Sequence, residues 1–165
     1  MPPHHRSQIL PGIAYHRGVK SWRPQDIGGV PDRTILFDGV CVLCSRWARF
    51  VIDRDPAASF HFVAVQEPFG RVLATQLEID TEAPETNAVI LKGRAYFKSD
   101  AVVEILSRLP GWRWIRLGRI VPRPLRDLAY DIVARNRYRW FGRAQECLLP
   151  TPELARHFLG HAPPG

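Results

Sequence analysis

Cys41 and Cys44 are the residues whose type and spacing most readily carry chemistry. Two cysteines three apart at a helix start can close a disulfide with little backbone movement. The first lies beside unpaired backbone N–H groups and the positive end of the helix dipole. That setting favours thiolate over thiol, and CxxC cysteines reach pKa values of about 3.5–7.5. A thiolate at Cys41 would be the nucleophile towards a disulfide, and Cys44, one turn further in, would resolve the mixed disulfide. Asp38 admits two roles. Its carboxylate forms the Asp38-Gly39 turn by bonding local backbone, or it accepts the proton of the resolving thiol.

Other uses of the cysteines stay open. The pair could be core thiols, or half of a zinc site that recruits Cys147 and His157 or His161, whose H-x3-H spacing suits metal ligands. A zinc finger, however, keeps its histidines within about 15 residues of its cysteines. Here more than a hundred positions intervene. Cys147 has no sequence neighbour that defines a role: a third redox cysteine or a buried one. Three cysteines are too few, and odd in number, for a disulfide framework. No Ser–His–Asp order, GxGxxG or P-loop is present, and no bound cofactor is signalled.

The elements that must position the pair follow from hydrophobic periodicity. Thr34 to Phe37 is a short apolar run ended by Asp38-Gly39, a buried strand. Leu43, Trp47, Phe50 and Val51 then recur at helical spacing, and Pro56 marks the end of that pattern. Ser59 to Val65 reads as a second strand, and Pro68 to Leu77 as a short helix. Asn87–Leu91 and Arg94–Phe97 flank Lys92-Gly93, a two-residue hairpin turn. Ser99 is a fit N-cap for the next helix, with Asp100 favourable beside its positive end. Val102, Ile105, Leu106 and Leu109 form its buried stripe, and Pro110-Gly111 stops it. The first two strands should be parallel through a right-handed crossover, and the hairpin should complete a mixed sheet. Further on, Pro124 suits a first helical position. Leu125, Leu128, Ala129, Ile132 and Val133 make an i, i+3, i+4 stripe expected to pack on the sheet. A last short helix is expected from Thr151-Pro152-Glu153.

Length and composition set the frame. With 165 residues, 45% hydrophobic and 24% charged, one globular domain plus tails is expected. Residues 1–32 read as an N-terminal, poorly ordered tail, 33–150 as the domain with a helical extension from about 111, and 151–165 as a short helix and tail. No stretch approaches the roughly 18 apolar residues of a membrane span. The start lacks the apolar run of a secretory signal. A cytoplasmic location is the default expectation. The net charge of +7 is concentrated. Between Arg108 and Arg143 stand ten arginines against Asp127 and Asp131, a balance of +8, which leaves −1 for the remainder. Trp112, Trp114, Tyr138 and Trp140 interleave with Arg113, Arg116, Arg137 and Arg139. Such a segment can stack bases and neutralise phosphates, or seat on an anionic surface. Equally, its rings can be core residues of the helical extension.

Three ordered stretches resemble the DCC family of thiol–disulfide oxidoreductases. They are Phe37-Asp38-Gly39-Val40-Cys41-Val42-Leu43-Cys44, then Tyr96-Phe97-Lys98-Ser99-Asp100-Ala101, then Pro122 to Asp127 running through Tyr130 to Arg137-Tyr138-Arg139-Trp140-Phe141-Gly142 and Cys147. The resemblance covers roughly 33–150. It implies a thioredoxin-like α/β fold and disulfide oxidoreductase activity on protein or small-molecule disulfides. Its implied partners are a disulfide-containing substrate and a thiol electron donor. Many members carry Asn within and just after the CxxC, where Val42 and Ser45 stand here. Thioredoxins place a cis-Pro before the third strand. Pro84 is the one candidate for that position, and it precedes Val89 by five residues.

Overall fold

The computed structural model describes residues 22–145 and 154–159. Its sheet has five strands in the order β1-β5-β4-β2-β3. β2 (Thr34–Phe37) runs parallel to β3 (His61–Ala64), and β4 (Ala88–Leu91) pairs antiparallel with β2. β5 (Arg94–Phe97) closes a hairpin with β4. Lys92 and Gly93 both take positive φ, 50° and 74°. Two such residues make the turn whose twist matches the strands, as Lys-Gly predicts.

The edge strand β1 (Gln25–Asp26) was not legible in the sequence. It falls within residues 1–32, which the sequence assigns to a tail. From Trp22 on, the chain instead lies against the sheet. Gln25 and Asp26 pair with Ala95 and Arg94, and Trp22 packs on Phe97 at 5.3 Å between ring centres. Two strand residues carry no readable period, and this pairing is earned only once β5 exists.

Helices cover both faces of the sheet, as in a thioredoxin-like α/β domain. α1 (Val42–Ile52) and α3 (Lys98–Leu106) bury Ala48, Val51, Ala101 and Ile105 against Ile35, Phe37, Phe62 and Val89. α2 (Pro68–Gln76) buries Leu73 and Ala74 against Leu36, Val63 and Ile90 on the other face. The alternation of Ile35, Leu36 and Phe37 between the two clusters is the period of two that a strand imposes. Because helices lie on both faces, each strand reads as a continuous apolar run.

Beyond α3 two expectations are corrected. Ser99 is not the N-cap of α3; Phe97 holds that place and Ser99 lies inside the helix. Its hydroxyl donates to Asp127 Oδ1, a tertiary partner that local capping logic could not supply. The Leu125–Val133 stripe does not pack on the sheet. α4 (Arg123–Phe141) packs on α3 and α1. Arg126 reaches Asp100 on α3, Tyr130 reaches Asn87 before β4, and Arg137 reaches Asp38 after β2. Leu125 and Leu128 stay 59% and 58% exposed, and Ile132 is exposed too, while Ala129 and Val133 border a cavity between α4 and α3. The ion pairs that seat α4 select the polar face, so most of the apolar stripe points outward. The Trp- and Arg-rich stretch before it forms a 3-10 helix, Arg113–Ile120, with no buried residue. Trp112 packs edge-on against Phe50, whereas Trp114 and Trp140 are exposed. The helix expected to start at Thr151 falls outside the described residues up to Glu153; a 3-10 turn, Ala155–His157, follows.

Gly70 marks where α2 meets the sheet most closely. A Cβ there would come within 1.9 Å of the Ala64 carbonyl oxygen. Gly70→Ala would gain about 1 kcal/mol of helix propensity. It would lose about 1–3 kcal/mol to overpacking against backbone that cannot rotate away. The expected outcome is net destabilisation, read as a lower urea midpoint with an unchanged slope.

Candidate functional site

The end of β2 and the start of α1 build the site. Cys41 is the N-cap of α1, with extended backbone at φ −82° and ψ 117°. Its Sγ accepts the Cys44 backbone N–H at 3.3 Å. That is one of the unpaired donors every helix N-terminus presents. Cys44 faces inward one turn on, and both cysteines are free thiols.

The turn that delivers Cys41 is held by Asp38, which is buried. Asp38 Oδ1 accepts the Val40 backbone N–H at 3.2 Å and the Gln66 amide at 2.9 Å. Gln66 in turn accepts the Gly39 N–H at 3.0 Å, so the turn is tied to the end of β3. Asp38 Oδ2 receives the Arg137 guanidinium at 3.1 Å and the Tyr138 hydroxyl. Arg137 also donates to the Pro84 carbonyl at 2.5 Å and lies 4.7 Å from the centre of the Tyr138 ring. Asp38 thus bonds the local backbone of its own turn, and four donors in all meet its two oxygens. Pro84 is buried beside this network; the described peptide bonds are all trans, its own included.

Electrostatics divide the two thiols. The Cys41 pKa is lowered to about 7. The Cys44 thiol, which donates to it, is the main cause; burial opposes, and the Cys44 N–H and the Arg137 charge assist. Cys44 is pushed far up, first by donating to Cys41, then by burial and by the charge on Cys41. The negative charge of the pair thus resides on Cys41.

Access divides them the other way. Cys41 is 0% exposed, and Cys44 is half-buried. The chain leaving α4 crosses over Cys41. Val42 N–H donates to Gly142, Ala144 N–H donates to Val40 at 2.8 Å, and Arg143 bridges Cys41. Cys44, by contrast, lines a cavity of about 510 Å³ between α1, α3 and α4.

Arg137, Tyr138 and Gln66 are site residues that spacing alone did not single out. Arg137 stands 99 positions from Asp38, so no local pattern joins them. Arg137 and Tyr138 did stand in the interleaved Trp- and Arg-rich segment and in the third stretch of the family resemblance, neither of which pointed to Asp38. Of the suggested metal ligands, His157 is buried near Asp55 and Phe60, while Cys147 and His161 lie outside the described residues. Among the described residues no group of three or more His, Cys, Asp or Glu is placed to hold a metal ion.

Two outcomes follow. The thiolate ultraviolet absorbance should titrate with a midpoint near pH 7, ionised above it, and that step should vanish in Cys41→Ser. Arg137→Met should cost about 3–5 kcal/mol in urea unfolding, because it strands a buried carboxylate. Pairing it with Asp38→Asn should recover part of that loss.

Comparison with known proteins agrees with this geometry. The family model for DCC1-like thiol–disulfide oxidoreductases matches residues 35–143. The uncharacterized protein YuxK of Bacillus subtilis (strain 168) is 39% identical over 131 residues, 79% of this chain and 96% of its own length. The chloroplastic DCC family protein At1g52590 of Arabidopsis thaliana is 35% identical over 117 residues, 70% of this chain and 68% of its own length. No solved structure matches the chain. The matched span runs from the strand before the Asp38 turn to the residue that bridges Cys41, and the chain belongs to the DCC1-like thiol–disulfide oxidoreductase family.

Proposed function

We propose that the protein exchanges dithiol for disulfide through Cys41 and Cys44. The observation that carries this reading is the geometry of the pair: Cys41 caps α1 with its sulfur 3.3 Å from the Cys44 backbone N–H, and the free thiol of Cys44 stands one turn further in. Cys41 attacks one sulfur of a substrate disulfide and expels the other as a thiolate. The departing thiolate takes the proton of Cys44. Cys44 then attacks the Cys41 sulfur, releasing the second substrate sulfur as a thiolate, which takes a proton from water, and leaving a Cys41–Cys44 disulfide. A thiol donor of the surroundings returns the two electrons. Asp38 holds the turn in this scheme, and Arg137 steadies both the turn and the charge. Attack by Cys41 requires the crossing segment 142–144 to part, since it covers that sulfur.

The exposure of Cys44 favours a second order of events, in which the substrate is held on Cys44 and Cys41 resolves. One experiment separates the two. With a model disulfide, Cys41→Ser should abolish exchange and Cys44→Ser should accumulate a mixed disulfide detected by mass. Accumulation in Cys41→Ser instead would reverse the roles. Full reductase activity in Cys41→Ser and in Cys44→Ser would end the oxidoreductase reading.

The surface supports a separate role, docking on an anionic lipid surface. Trp114, Leu117, Ile120, Leu125 and Leu128 are exposed, and Arg113, Arg116, Arg135 and Arg139 make no ion pair among the described residues. Apolar side chains flanked by unpaired arginines suit an anionic interface. The protein should sediment with phosphatidylglycerol vesicles and release as salt rises; no binding at low salt would remove this role.

A further inference from the structure

The cavity beside Cys44 is built for a narrower range of substrates than a bare dithiol requires. At about 510 Å³ it lies within the roughly 300–1,000 Å³ range of small-molecule sites. Its wall is mainly apolar and includes Leu43, Trp47, Val102, Leu106 and Val133. Two arginines also reach it, and each is already paired with a carboxylate. Arg137 is paired with Asp38. Arg126 is paired with Asp100 at 2.9 Å and also donates to Ser99 and the Val121 carbonyl. The cavity therefore offers an apolar wall beside a thiol and no free charge.

We propose that this cavity binds the body of a small, uncharged, largely apolar disulfide and presents a sulfur to Cys44 of the dithiol. The proposal rests on the oxidoreductase reading and specifies its substrate class. The step balances: one disulfide R–S–S–R and two protein thiols become two R–SH and the Cys41–Cys44 disulfide, with two electrons moved. Glutathione then reduces the protein disulfide in the assay. A charged substrate is disfavoured because it would have to leave water without finding a free counter-charge. An apolar body meets no such cost.

The test compares two disulfides with one skeleton, 3,3′-dithiodipropionate and its dimethyl ester. The first carries two carboxylates, the second two neutral acceptors. Each rate is divided by that of the uncatalysed reaction with glutathione. The ester should be favoured by about tenfold or more in kcat/KM. Ala134→Leu, which extends a side chain from α4 into the cavity, should bring that ratio towards one. Ala129→Leu, also on the cavity wall, serves if the first variant fails to fold. Dimethyl 3,3′-thiodipropionate, which has no S–S bond, should raise the Tm of the wild-type protein and not of the filled variant. Equal rates or a preference for the dianion, with no Tm shift, would overturn the proposal and leave the oxidoreductase reading standing. A Tm shift with neither disulfide exchanged would remove the oxidoreductase reading and the substrate role together, leaving a binding site only.

Discussion

The buried pair of Asp38 and Arg137 holds the rest of the site in place. It joins the turn after β2 to the far end of α4, two segments about a hundred residues apart. Burying both charges is costly, and the pair is tolerable because hydrogen bonds meet both carboxylate oxygens and part of the guanidinium. Val40, Gln66 and Tyr138 donate to the carboxylate, and the Pro84 carbonyl accepts from the guanidinium. Remove the pair, and the turn that aims Cys41, the last turns of α4 and the crossing segment lose their common anchor.

Acidity and access sit on different sulfurs, and one arrangement causes both. Placing Cys41 at the N-cap lets it accept from the Cys44 thiol and the Cys44 backbone N–H, which lowers its pKa. The same position brings it beneath residues 142–144, which bridge it through the backbone and hide it. Cys44, one turn further in, escapes that cover and faces the cavity, but donates its proton to its neighbour and stays neutral. A proton shared within the pair is thus the variable that links charge to exposure.

The arginine block is not uniform. Arg119 and Arg108 meet the buried Glu104, Arg123 and Arg126 meet Asp100, and Arg137 meets Asp38. These pairs dock α4 and the 3-10 helix onto α3 and the sheet. They explain why α4 turns a polar face inward. Three acids on the body of the domain can satisfy arginines and cannot satisfy leucines. Most of the apolar stripe was then left on the outside, with the unpaired arginines.

Local patterns in the sequence determined much of the frame. Apolar runs specify β2, β3 and β4, Lys-Gly specifies the hairpin, and the CxxC following strand and Asp-Gly places two thiols at a helix start. Each of these depends on neighbours within a few positions, so each is written in the chain itself. Tertiary structure decided what needs distant partners. β1 exists only because β5 offers an edge, and Ser99 serves Asp127 rather than capping its helix. The orientation of α4 was decided by ion pairs no periodicity encodes. Which cysteine is reachable depends on residues 142–144, folded back across about a hundred residues. A hydrophobic pattern records how much surface wants burial; it does not record which buried charge will claim the place.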